Sequence, residues 1–234
     1  MRILFLVLAI FILAPAAHGQ RRSKEKVINL QNFDKKKLRF GYYIGVNSYN
    51  YKVEYKKLLP EVLVKPTTGF NIGLVADYRV FEYMNLRFEP GLSSTQRELN
   101  FLDRSGFTKN SDTLRTVKST YIHLPLLLKF SNKRLNNIRP YLLGGIATSI
   151  NLSSNQDSPD DNVNRVFRTK TNTFYYELGF GIDFYLYYFK FSPSIRGVFA
   201  ISDELVPDID PNSPWTKNIS GLKTRGIFIN FTFH

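Results

Sequence analysis

The sequence predicts an all-β fold, an eight-stranded antiparallel up-and-down transmembrane β-barrel with short periplasmic turns and long extracellular loops. Three observations predict it. Apolar and polar residues alternate with period two along most of the chain; the connections between alternating segments are in turn long and short; and the 234 residues include 15% aromatics but no cysteine. Period two marks a strand with one apolar face, and unequal connections on the two rims are the habit of outer-membrane barrels.

The chain opens MRILFLVLAIFILAPAAHGQ, where Arg2 precedes an apolar run from Ile3 to Leu13 and a small-residue site at Ala17-His18-Gly19. This anatomy predicts a secretory signal peptide over residues 1–19, because the run is shorter than the roughly 20 residues of a spanning helix. Only one basic residue, Arg2, lies within it, so nearly all of the formal +13 stays with the exported chain. Such a chain meets anionic lipid and protein surfaces rather than nucleic acid. Residues 20–37 form a basic periplasmic segment in which Arg21, Arg22, Lys24, Lys26, Lys35, Lys36 and Lys37 are the candidate partner-docking residues, since clustered like charges make a solvated or interacting arm.

The barrel is assigned to residues 38–234. Eight alternating segments run from Leu38 to Tyr51, Thr68 to Tyr78, Met84 to Leu99, Thr116 to Phe130, Arg139 to Leu152, Thr171 to Phe184, Tyr188 to Ile201 and Leu222 to Phe233. Each is near or above the roughly 10 residues that a tilted membrane strand needs. Rows such as Phe40, Tyr42, Ile44 and Val46, or Phe70, Ile72 and Leu74, face outward, with Gly41, Gly45 and Asn47, or Asn71, Gly73 and Asp77, opposite. A soluble sandwich also alternates. The connections separate the two, and loops such as SSNQDSPDDNVN and SDELVPDIDPNSP read as polar surface loops.

Within YELGFGIDFYLYYFKFSPSIRG stand Glu177, Asp183, Lys190 and Arg196. A single transmembrane helix is excluded, because each central charge costs about 2.5 to 3.5 kcal/mol. As a hairpin the stretch turns all four charges into the lumen, where Asp77, Arg87, Glu89 and His123 complete a charge network. A turn centred between Leu186 and Tyr187 sets Asp183 opposite Lys190 and Glu177 opposite Arg196; the preceding short turn sets Asp77 opposite Arg87. Pro90, Pro125 and Pro193 mark bulges or strand ends, since proline cannot donate to a ladder.

Chemistry is poorly provided for. After the signal only His123 and His234 remain as histidines. Ser119 and His123, four apart on one strand, are too far apart to bond. No catalytic, cofactor-binding or metal residue is assigned, no cofactor is expected, and the reading is non-enzymatic. An interior of eight strands is just wide enough to be filled by its own side chains, so function lies in binding.

Three stretches, NFDKKKLRFGYYIGVN at Asn32 to Asn47, YIHLPLLLKF at Tyr121 to Phe130 and RPYLLGGI at Arg139 to Ile146, resemble the PorT family of Bacteroidota outer-membrane barrels. The resemblance implies an outer-membrane component of the type IX secretion system, in some members also supporting gliding, with other secretion-system proteins as partners. The final RGIFINFTFH is similar to the aromatic-ended closing strand read by the barrel assembly machinery. Outer-membrane lipid and lipopolysaccharide are the remaining expected partners. The alternatives are a generic small barrel serving adhesion or envelope integrity and, from another class, a lipid-modifying outer-membrane enzyme.

Overall fold

The structure, a computed structural model, describes residues 27–57, 62–103, 106–107, 109–158, 162 and 167–234. Residues 1–26, with the signal peptide and the docking candidates Arg21, Arg22, Lys24 and Lys26, lie outside the described residues. Ten strand segments form one antiparallel sheet: Leu38–Tyr55 (β1), Val62–Pro66 (β2), Thr68–Arg79 (β3), Met84–Phe88 (β4), Gly91–Phe101 (β5), Leu114–Ser131 (β6), Ile138–Asn151 (β7), Asn172–Tyr185 (β8), Lys190–Ala200 (β9) and Ile219–Phe233 (β10). β2 and β3 are two pieces of one wall, as are β4 and β5, and β1 pairs with both β10 and β3. The sheet therefore closes as a ring of eight walls.

The alternation decides which face meets what. Phe40, Leu74 and Ile146 stand on the outside at 70%, 65% and 64% exposure, whereas Asp77, Arg87 and Arg196 are at most 1% exposed on the inside. Large apolar side chains outside and charges inside are the inverse of a soluble sandwich. Only a hydrocarbon surround makes that distribution favourable, at roughly 25 cal/mol for each Å² of apolar surface kept from water.

Prolines mark where the ladder is interrupted. The β4–β6 pairing ends at Phe88↔Leu126 and the β5–β6 pairing resumes at Gly91↔His123, so Pro90 and Pro125 meet at one interruption. Register is unchanged across it, so this is a gap in the bonding and not a bulge. Opposite Pro193 the β8–β9 pairing skips Ile182 and Asp183.

Two expectations need correction. Residues 62–66, assigned to a long loop, form β2, because β5 runs on past the membrane level and offers Arg97 to Phe101 as partners. The hairpin at 176–197 turns one residue later than predicted, which shifts the register by two: Tyr185 pairs with Lys190, Phe184 with Phe191 and Gly179 with Arg196. Leu186 donates its N–H to the Phe189 carbonyl at 3.0 Å, leaving Tyr187 and Tyr188 as the turn tip. A slip of two preserves which face each residue takes. Glycine at 179 is what admits this register, because a Cβ there would sit 2.5 Å from the Ile195 carbonyl oxygen. Asp77↔Arg87 is paired as the sequence predicts.

Exposed positions on the two rims test the orientation. In intact cells, Asp157→Cys on a long loop is expected to react with a membrane-impermeant maleimide, and Lys133→Cys on a short turn is not; both native residues are exposed. The opposite labelling inverts the barrel.

Candidate functional site

Among the described residues, buried polar and charged side chains line the lumen from one rim to the other. Near the short turns the Asp77 carboxylate accepts from Arg39 at 3.2 Å and from Arg87 at 2.7 Å. Arg87 reaches on to Glu89 at 3.3 Å, and Glu89 accepts from Arg196 at 2.9 Å. Arg196 Nε lies 3.1 Å from Glu177, whose other oxygen is 2.6 Å from His123 Nε2. A second cluster centres on Asp183, which accepts from Lys129 at 2.6 Å and from Ser192 at 2.6 Å, with Lys190 at 3.8 Å. All eight sequence-assigned lumen residues are thus buried and joined through these two clusters. Glu177 and Arg196 meet on the diagonal, so their ion pair survives the two-residue change of register. Asp183 is held chiefly by Lys129 across the lumen rather than by Lys190.

Several participants escaped the sequence reading. Arg39, Lys129 and Arg97 are buried, and each shares the parity of a residue assigned inward: Gly41, His123 and Arg87. That parity was the available signal. Parity also turns Ser149 inward but does not give its partner: its hydroxyl lies 2.5 Å from His123 Nδ1, on a strand 26 residues away in the chain. Ser149, His123 and Glu177 form a serine–histidine–carboxylate line in which all three are at most 1% exposed. All three side chains lie within the described interior, and their hydrogen bonds satisfy buried polar groups.

Both rims are covered. On the short-turn side, residues preceding β1 fold back over the opening. The Asp34 carboxylate accepts from the Tyr185 hydroxyl at 2.8 Å and from Arg39 at 3.3 Å, with Arg139 at 3.6 Å. Phe33 sets its ring edge-on to Tyr185 at 6.4 Å, and Arg134 donates to the Asn29 and Leu30 carbonyls. From Asn29 onward this segment is therefore a fitted cap, and Lys35, Lys36 and Lys37 stand exposed on its outer side. Of the interacting arm predicted for residues 20–37, the described part from Asn29 onward interacts with the barrel's own rim.

On the long-loop side the loops carry an apolar core of their own. Phe167, Leu205 and Trp215 are buried against Tyr51, Leu99, Phe101 and Val117 of the strand ends. This corrects the expectation of purely polar loops. Beneath them Arg97 stacks on Tyr51 at 3.9 Å and donates to Tyr121 at 2.6 Å and to the Thr224 hydroxyl at 3.0 Å. Thr224 in turn donates to Glu204 at 2.9 Å. Burial raises the pKa of Glu204, an effect the neighbouring Arg97 opposes.

Residues 20–206 match the family model described as outer membrane protein beta-barrel domain. The chain belongs to that family. This outer-membrane β-barrel resembles OprG from Pseudomonas aeruginosa, 14% identical over 84% of this chain and 94% of that one, with a TM-score of 0.46. Neisserial surface protein A is 9% identical over 84% and 98%, with a TM-score of 0.45. AlkL is 13% identical over 84% and 90%, with a TM-score of 0.45. Comparison with curated proteins gives no match. As an outer-membrane barrel, the molecule keeps its short turns in the periplasm and its long loops outside.

Two outcomes follow for the barrel's interior. Among the described residues Arg196 is the side chain that joins Glu89 to Glu177, and stripping a buried pair of one partner costs about 3–5 kcal/mol. Arg196→Met is expected to lower the melting point of the heat-resistant folded band on a gel, and adding Glu89→Gln to restore part of it, since Arg87 retains Asp77. Additive losses would show that these residues do not interact. At the outer cap, a raised pKa means that stability is greatest with Glu204 protonated and declines as pH rises through that pKa. Emission from Trp215, the single tryptophan, should shift to the blue as pH falls from 7 toward the ordinary glutamate value of about 4.3, and Glu204→Gln should remove the trend.

Proposed function

We propose that this barrel is a non-enzymatic component of type IX protein export, acting through surfaces it presents to other proteins. The observation that carries the reading is the sealed lumen. Among the described residues both rims are covered and the interior is occupied by paired charges, which favours a role carried by the outer surfaces. The assignment to this export route rests on the three stretches that resemble the PorT family. Lys35, Lys36 and Lys37, exposed on a rigid periplasmic cap, together with Arg21, Arg22, Lys24 and Lys26, supply the docking charge for other secretion proteins. Lipopolysaccharide and outer-membrane lipid surround the apolar belt, and the aromatic-ended β10 serves the assembly machinery. Adhesion or envelope integrity without a secretion role is the competing function. Lipid modification is disfavoured because the serine–histidine–glutamate line faces the closed interior.

Deleting the gene is expected to abolish export of cargo carrying the dedicated C-terminal domain, with lipid A unchanged by mass spectrometry. Complementation with the triple variant Lys35→Glu, Lys36→Glu, Lys37→Glu should restore a folded, heat-modifiable barrel but not full export. Normal export in the deletion strain overturns the secretion role; normal export with the triple variant removes docking from the cap.

A further inference from the structure

The barrel wall is split on its extracellular side. β1 pairs with β3 only up to Ser48↔Thr68, after which β1 continues to Tyr55 bonded to β10 alone, while β2 bonds to β5 alone. No ladder joins the outer half of β1 to β2 among the described residues. The split begins where the outward row of β1 changes from Phe40, Tyr42, Ile44 and Val46 to Ser48, Asn50, Lys52 and Glu54. It therefore stands above the hydrocarbon, where an unpaired edge is tolerated.

Which main-chain groups face the split follows from the ladders. Leu222, opposite Val53, gives its carbonyl to the Glu204 N–H at 2.8 Å and not to β1, so the amide and carbonyl of Val53 point away from β10. On β2, Thr67 donates to the Gln96 carbonyl at 3.1 Å. By alternation Val62, Val64 and Pro66 turn away from β5. The edges show the substitutes that unpaired strands acquire. Tyr51 N–H is taken by the Asn50 side chain at 2.7 Å, Val62 N–H by the Tyr55 hydroxyl at 2.8 Å, and Pro66 has no N–H to satisfy. With no ladder partner among the described residues, the main-chain groups of Val53 and Val64 aim into a cleft of about 290 Å³, lined also by Tyr51, Tyr55 and Arg225.

We propose that this cleft accepts an extended peptide segment of a partner protein as an added strand. Its chemistry is set by the walls. Val53, Val62 and Val64 back onto the apolar core of the outer cap, which suits apolar residues at every second position. The outer lip carries exposed Lys52, Lys56, Lys57 and Lys65, and its Glu54 is already paired with Lys52 at 3.4 Å and Lys223 at 3.6 Å. Carboxylates at the alternate positions complement that lip. Strand addition draws affinity from main-chain bonds and specificity from alternate side chains. The proposal holds whether or not the barrel serves protein export.

The test uses the full-length barrel in detergent and a fluorescent peptide, acetyl-Glu-Val-Glu-Val-Glu-Val-Glu-amide. Saturable binding is expected, lost when alternate peptide nitrogens are methylated and weakened about tenfold by Val53→Pro or Val64→Pro, as removal of edge hydrogen bonds predicts. Neither substitution touches a hydrogen bond to β10 or β5, so the folded band and Trp215 emission should be unchanged. Equal binding of the methylated peptide would reduce the site to charge attraction and overturn the proposal. So would no binding at millimolar peptide, or lipopolysaccharide micelles binding in a Val64-dependent manner where the peptide does not.

Discussion

Arg196 held between Glu89 and Glu177 is the interaction on which the arrangement of the interior depends. The three residues come from β9, the β4–β5 interruption and β8, so one guanidinium ties facing walls together through the lumen. A desolvated charge without a partner is expensive, whereas a matched set is nearly neutral. The network therefore adds little net stability and a great deal of specification. Any register that separates Arg196 from both carboxylates leaves its buried guanidinium without a carboxylate, Glu89 with Arg87 alone and Glu177 with His123 alone.

The same constraint accounts for the backbone around it. Gly179 lies opposite Arg196 and Gly181 opposite Ser194, and each lacks the side chain that would collide with a neighbour. Gly181 makes room for the Tyr141 ring, on whose face the Lys129 ammonium rests at 3.8 Å. Pro90 and Pro125 meet beside Glu89, whose N–H still donates to the Pro125 carbonyl at 3.3 Å while its carboxylate reaches Arg87 and Arg196. Small residues, prolines and charges are thus parts of one packing solution: a narrow tube closed around long polar side chains.

Closure of the tube also decides where contact with other molecules can occur. With Asp34 and Phe33 fitted to the periplasmic rim and Trp215, Leu205 and Phe167 seated over the outer one, the accessible features among the described residues include the belt, the lysines of the cap and the split between β1 and β2. These differ in character. The belt is apolar and continuous, the cap is cationic and rigidly mounted, and the split exposes main chain. Each suits a different class of contact, with lipid, with an acidic protein face and with an extended strand.

The sequence by itself determined the wall: strand number, which residues face lipid, which charges face inward, and the Asp77–Arg87 pairing across a tight turn. These follow from period two and from short connections, both of which are local. What only the tertiary structure decided was everything that depends on distance in the chain. Lys129 finding Asp183, Ser149 finding His123, Asp34 closing the rim and Trp215 entering a loop core join residues 54, 26, 5 to 151 and many tens apart. Alternation fixes a face but not a height along it, and a shift of two residues leaves every face unchanged. The height is set by which long side chains can pair inside a lumen of fixed width, and that condition exists only once the ring has closed.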